Sequence, residues 1–209
     1  MIAIIDYGMG NLRSVQKAFE YIGHQAVITQ EPKRILSADK VVLPGVGAFA
    51  DAMGNLRRMG LIETIEELVA RKKPLLGICL GMQLFFEKSC EGGFCRGLSL
   101  IPGEIKKIPQ ALGLKVPHMG WNLLSYKQSP LFEGLGRSPY VYFVHSYYLE
   151  TSYQEFVIGT TRYGKEIPVA VNRNRLYGVQ FHPEKSGEVG LKILKNFGGL
   201  KSDDHLSGN

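Results

Sequence analysis

With 209 residues, 44% of them hydrophobic and 21% charged, the chain is long enough to bury a full core and has the composition of an ordinary globular protein. Its net charge of +6, from 25 basic and 19 acidic residues, is scattered without a long basic run, and no nucleic-acid motif accompanies it. The start Met1–Asp6 lacks the length and basic residues of a signal peptide, and no apolar run approaches a membrane span. Cys79, Cys90 and Cys95 provide neither a zinc spacing nor an even disulfide set. The expectation is a soluble, cytoplasmic protein with reduced thiols, no metal and no cofactor.

In chain order, Ile2–Ile5 reads as a short apolar strand ended by Asp6 and the turn formers Gly8 and Gly10. Gly8-x-Gly10 stands where a dinucleotide fingerprint would, but Arg13 occupies the place of the third glycine, so a turn is the better account. Asn11 is placed to cap a helix carrying Leu12, Val15, Ala18, Phe19 and Ile22 on one face, with Gly23 as its stop. Strands follow at 26–28 and 41–43, the latter closed by Pro44-Gly45-Val46-Gly47. Helical patterns then occupy 48–58 and 61–71. This alternation predicts a parallel sheet covered on both faces, with sites beyond the carboxyl ends of its strands. After about Glu91 the texture turns to short β-rich runs at 100–108, 114–116, 140–144, 156–161, 169–172 and 176–181, read as antiparallel extension and hairpins. A last helix is expected from Ser186 to Phe197. One domain is expected over 1–200, with a polar tail over 201–209.

The stretch that carries chemistry is Lys73-Pro74-Leu75-Leu76-Gly77-Ile78-Cys79-Leu80-Gly81-Met82-Gln83. An apolar strand enters a turn flanked by two glycines with cysteine at its apex, and Leu84-Phe85-Phe86 suits a helix beyond. This is the cysteine counterpart of a nucleophile elbow. Such a turn forces the central residue into a strained conformation, and the following helix N-terminus favours a thiolate. Further on, the strand Leu176-Tyr177-Gly178-Val179-Gln180-Phe181 runs into His182-Pro183-Glu184. In extended chain residues two apart share a side, so His182 and Glu184 project together. A histidine to take the thiol proton and a carboxylate to hold its tautomer are the helpers a cysteine nucleophile needs.

Gly77-Ile78-Cys79-Leu80-Gly81-Met82-Gln83 with Phe181-His182-Pro183-Glu184 resembles the triad (class I) glutamine amidotransferases. Asp6-Tyr7-Gly8-Met9-Gly10-Asn11, Pro44-Gly45-Val46-Gly47-Ala48-Phe49, Val116-Pro117-His118-Met119-Gly120-Trp121-Asn122 and Phe143-Val144-His145-Ser146-Tyr147 together resemble the glutaminase subunits of imidazole glycerol phosphate synthase. That likeness runs from Met1 to about Gly199. It implies an α/β fold of the class I amidotransferase (flavodoxin-like) kind, an open, mostly parallel sheet with helices on both faces and an antiparallel extension. It implies that Cys79, His182 and Glu184 hydrolyse L-glutamine through a γ-glutamyl thioester. The oxyanion would be met by the Leu80 N–H and by one from the Val46-Gly47 turn. Gln83 and Glu91 match positions that hold the α-amino and α-carboxylate groups of glutamine, and Ser146 and Tyr147 line the same pocket. Asn11, Trp121 and Tyr142 match positions facing a (β/α)8 barrel cyclase. That partner would form a heterodimer with the chain and use the ammonia to make imidazole glycerol phosphate and AICAR in histidine biosynthesis. Other readings share part of the pattern: a subunit of another synthase, a second copy feeding a surface-sugar pathway, a cysteine hydrolase, or a non-catalytic relative. The hydrolase would not need Gln83, Glu91 or Val46, and the non-catalytic relative would show a damaged triad.

Overall fold

A computed structural model describes residues 1–110 and 113–201. The tail expected at 201–209 therefore lies, beyond Lys201, outside the described residues. Strands β1 (Ile2–Ile5), β2 (Ala26–Thr29), β3 (Lys40–Gly45) and β4 (Leu75–Cys79) alternate with helices α1 (Leu12–Tyr21), α2 (Pro32–Ser37), α3 (Phe49–Arg58) and α4 (Leu61–Ala70). Then come α5 (Leu80–Gln83), β5 (Lys88–Ser89), β6 (Cys95–Arg96), β7 (Glu104–Lys107), β8 (His118–Leu123), β9 (Ser125–Tyr126), β10 (Tyr140–His145), β11 (Tyr147–Glu150), β12 (Val157–Tyr163), β13 (Lys165–Arg173), β14 (Leu176–Val179) and α6 (Gly187–Gly199).

The central sheet has eight strands in the order β2-β1-β3-β4-β14-β13-β12-β9. The first five run parallel and the last three antiparallel. Alternation along the parallel strands explains their unbroken apolar runs. Ile2, Ile4, Val42, Leu76 and Ile78 pack on one face with Val15 and Phe19 of α1 and Ile193, Leu194 and Phe197 of α6. Ala3, Ile5, Val41, Leu43 and Leu75 pack on the other with Ile35 of α2, Leu56 of α3 and Leu61, Ile65 and Leu68 of α4. A strand covered on both faces buries every side chain, and β1 and β4 do. A four-stranded sheet, β11-β7-β5-β6, and a two-stranded ribbon, β8 with β10, stand apart from the main sheet.

Several expectations are corrected. The segment at 32–37, for which no element was expected, forms α2, opened by Pro32 at its first turn. Residues 100–108 yield only Glu104–Lys107, because Gly103 at φ +145° breaks the run and its N–H goes to Glu87. Residues 114–116 are no strand, and the Lys115 carbonyl is taken by the Tyr163 hydroxyl at 2.6 Å. Asn11 stands at the N-cap of α1, but its side chain makes no capping bond. The helix after Cys79 is a single turn of four residues. The carbonyls of Leu84, Phe85 and Phe86, which a longer helix would use internally, instead accept from Leu98, Leu100 and Ser99. So short a helix sums few peptide dipoles, and the helix-dipole argument for the Cys79 thiolate loses most of its weight.

The elbow glycines explain themselves sterically. A Cβ at Gly77 would lie 2.7 Å from the Met82 nitrogen, and one at Gly81 would be driven into the carbonyl oxygen of Leu43 in β3. Gly81 therefore permits backbone-to-backbone contact between α5 and β3. Gly81→Ala is expected to destabilise by about 3 kcal/mol, the upper part of the overpacking range, because backbone rather than a flexible side chain must yield. Urea unfolding of the variant checks this.

Candidate active site

Because β1, β3, β4 and β14 are parallel neighbours, the loops after their carboxyl ends meet. These loops carry Asp6 to Asn11, Gly45 to Ala48, Cys79 and Gln180 to Ser186. Register places Gly45 directly opposite Cys79. The loops border a cleft of about 360 Å³ whose lining includes Val46, Cys79, Gln83, Glu91, Tyr147 and His182. That volume suits a small metabolite.

Cys79 lies at φ 54°, ψ −112°, a strained conformation for a residue with a side chain, and is 7% exposed. His182 Nδ1 donates to Glu184 Oε1 at 2.8 Å, with the two side chains 2% and 1% exposed. The pairing does not arise from extended chain as expected. Glu184 sits in a 3-10 turn, Pro183–Lys185, with His182 at its N-cap position, and that turn swings the carboxylate back onto the ring. Burial opposes charge on His182, but the Cys79 sulfur and the Glu184 carboxylate outweigh it, and its pKa is raised to about 10. His182 Nε2, the ring nitrogen turned away from Glu184, is buried without a partner in hydrogen-bond geometry. Glu184 Oε2 and the Tyr7 hydroxyl, which abuts Gly45, are likewise buried and unpaired. Such atoms are costly, and His182 and Tyr7 both lie within electrostatic reach of Cys79.

Of the other anticipated residues, Val46, Gly47, Leu80, Gln83, Glu91, Ser146 and Tyr147 all line the cleft. Glu91 Oε2 accepts from the Phe49 N–H at 2.9 Å, fastening the Val46 turn to the cleft's acidic side chain. Gln83 Nε2 donates to the Tyr147 carbonyl at 3.2 Å and to Gln180 Oε1 at 2.8 Å. The Tyr147 hydroxyl has its pKa raised by burial first and by the charge of Glu91 second.

Sequence reasoning missed three cleft groups. Gln180, fully buried, donates from Nε2 to Cys79 Sγ at 3.6 Å. His145 and His118 are buried and bonded to each other. His145 Nδ1 donates to the Tyr147 carbonyl at 2.8 Å, so His145 Nε2 accepts from His118 Nδ1 at 3.0 Å. His118 Nε2 then accepts from Asn122 at 3.3 Å. Burial lowers the pKa of His118 to about 4 and of His145 to about 3. Both histidines stood in motifs already quoted, so a signal existed for them.

Trp121 and Tyr142 face each other across the β8–β10 ribbon, ring centroids 6.1 Å apart. Their face also carries Met119 and Tyr140, and Met119, Trp121 and Tyr140 are each more than half exposed. Val144, on the same face, lines the cleft, so the apolar surface is continuous with the site. Asn11 is partly exposed at the end of a loop whose Met9 and Gly10 pack on the 44–47 turn.

The sequence pattern of the family "Glutamine amidotransferase class-I" matches residues 3–199. A crystal structure described as a glutamine amidotransferase superposes with TM-score 0.75 at 18% identity, covering 96% of this chain and all of the other, which shows the shared fold. The chain belongs to the class-I glutamine amidotransferases and is an enzyme of that type. Within them it falls among the subunits named imidazole glycerol phosphate synthase subunit HisH. It is 55% identical to that of Moorella thermoacetica over 95% of this chain and 94% of the relative. It is 50% identical to subunit HisH 1 of Campylobacter jejuni subsp. jejuni serotype O:23/36 over 96% of this chain and all of the relative.

The histidine pair makes stability depend on pH. The unfolded chain takes up protons at both sites below about pH 6.5, whereas the folded protein resists to about 4 and 3. The unfolded state therefore binds more protons in that window. Their contribution is complete above pH 6.5 and is lost as pH falls towards 4. Urea midpoints should drop between pH 7 and 5, and His145→Gln should flatten that slope.

Proposed function

We propose that this chain is the glutaminase subunit of imidazole glycerol phosphate synthase in histidine biosynthesis, with Cys79, His182 and Glu184 as its triad. The observation that carries the reading is the His182–Glu184 pair at 2.8 Å beside a strained Cys79 in one cleft. Cys79 Sγ attacks the side-chain amide carbonyl carbon (Cδ) of L-glutamine, and His182, oriented by Glu184, gives a proton to the leaving nitrogen as the C–N bond breaks, releasing ammonia. Water, deprotonated by His182, then opens the thioester, and glutamate leaves as the sulfur regains its electron pair. The Leu80 N–H and one from the Val46-Gly47 turn receive the oxyanion of each tetrahedral intermediate, where losing one donor typically costs about 10²–10³ in rate. Gln83, with its amide hydrogens committed elsewhere, offers only Oε1. With Glu91 it suits the α-ammonium of glutamine, while Ser146 and Tyr147 close the pocket round the α-carboxylate.

The partner is a (β/α)8 barrel cyclase seated on Met119, Trp121, Tyr140 and Tyr142, with Asn11 at the rim, in a heterodimer working in the cytoplasm. An exposed aromatic face contiguous with the cleft supports this, since such patches mark docking sites and ammonia must leave nearby. Among the described residues no helix is long and apolar enough to cross a membrane. The loop carrying Asn11 packs on the 44–47 turn, so docking bears on the oxyanion donors.

Glutamate release should be barely measurable for the chain alone and strongly stimulated by a barrel cyclase with its nucleotide ligand. Cys79→Ala should abolish it by at least about a thousandfold, and Trp121→Ala should weaken assembly. High activity alone, unchanged by the cyclase, would instead make this a free-standing glutaminase.

A further inference from the structure

Gln180 follows β14 and lies two residues before His182, and the sequence assigned it nothing. It is fully buried, with its amide between Cys79 Sγ at 3.6 Å and Gln83 Nε2 at 2.8 Å. The direction of these bonds is fixed from one end. A backbone carbonyl only accepts, so the Tyr147 oxygen requires Gln83 to present Nε2 to it. The same Gln83 nitrogen then requires an acceptor from Gln180, which must be Oε1. What remains for the sulfur is Gln180 Nε2, a donor. Flipping either amide would set donor against donor or oxygen against oxygen.

We propose that Gln180 is a catalytic residue of this glutaminase, its amide nitrogen holding the Cys79 thiolate and its amide oxygen fixing Gln83 as an acceptor for the substrate's α-ammonium. The proposal rests on Cys79 being the nucleophile. A hydrogen bond to an ionised acceptor is about twice as strong as one between neutral groups, so the contact favours thiolate over thiol. An amide also keeps its protons at neutral pH. His182 gives up its proton to the leaving nitrogen, while Gln180 stays in place through the cycle. When the tetrahedral intermediate of thioester hydrolysis collapses, the C–S bond breaks and its electron pair returns to sulfur, where the Gln180 N–H meets it. The two ends of one buried amide thus tie the ammonium-binding group to the reacting atom.

Two variants separate the two ends. Gln180→Glu keeps an acceptor for Gln83 but puts a carboxyl against the sulfur, whereas Gln180→Met removes both contacts at similar volume. In a Cys90→Ser/Cys95→Ser background, the rate of iodoacetamide alkylation of Cys79 is followed against pH. Steady-state glutamate release is measured with the cyclase and its ligand present, and circular dichroism reports folding. Both variants should shift the alkylation profile upward by about one to two pH units and lower kcat at least about tenfold. KM should rise severalfold in Gln180→Met and stay near the parent value in Gln180→Glu. An unchanged alkylation profile in a folded variant of either kind overturns the proposal, whatever happens to KM. Failure of the underlying reading looks different: Cys79→Ala would retain glutaminase activity, which no result at Gln180 can imitate.

Discussion

The contact on which this site depends is that of backbone with backbone where Gly81 meets the Leu43 carbonyl. It lets α5 start immediately after β4, and so it holds Cys79 at a positive φ that an isolated peptide would avoid. The same closeness sets β3 and its Gly45–Gly47 turn beside the thiol rather than a side chain's width away. Cys79 and the candidate oxyanion donors are thus fixed relative to each other by strand pairing, the stiffest element available. The strain is carried by a sheet packed on both faces, which is where a marginally stable protein can best absorb it.

What could be read from the sequence follows from how local each signal is. The parallel half was legible because both of its signals are short-range, apolar runs for strands and a 3.6-residue period for helices. Cys79 was legible from the glycines two residues to either side. His182 and Glu184 were legible as a pair, although a 3-10 turn and not extended chain brings them together. Gln180 was not, because its importance lies in contacts with Gln83 and Cys79, 97 and 101 residues away. The strand β8 escaped for another reason: Pro117 and Gly120 break its pattern, and its pairing with β10 supplies the order that the local sequence lacks. Short α2 offered only Pro32 at its start, too little for a periodicity to register.

The ribbon ties the proposed docking face to the catalytic turn through backbone bonds. The Tyr142 carbonyl accepts from the His182 N–H at 2.9 Å, and the Tyr142 N–H donates to Ser186 Oγ at 2.9 Å. Ser186 in turn donates to the His182 carbonyl at 2.6 Å. The side chain of Tyr142 meets Trp121 outside while its main chain clamps the His182 turn inside. A partner seated on the aromatic face would therefore bear on a strand bonded directly to the His182 turn.

Two histidines lining the same cleft have opposite character, and their polar neighbours explain the difference. His182 and His145 are each buried, and each donates from Nδ1 over 2.8 Å. The Cys79 sulfur on one side of the His182 ring and the Glu184 carboxylate that accepts from Nδ1 on the other overcome burial and raise the pKa to about 10. The acceptor for His145 is a neutral backbone carbonyl, which does not offset burial, and the pKa falls to about 3. The His118 ring and the charge of His182 add lesser lowerings to that of burial. His145, kept neutral, shares the Tyr147 carbonyl with Gln83 and so fixes the acceptor from which the amide relay takes its direction. In this cleft, a sulfur and a carboxylate around one ring keep His182 charged, while a carbonyl and a second neutral imidazole leave His145 uncharged.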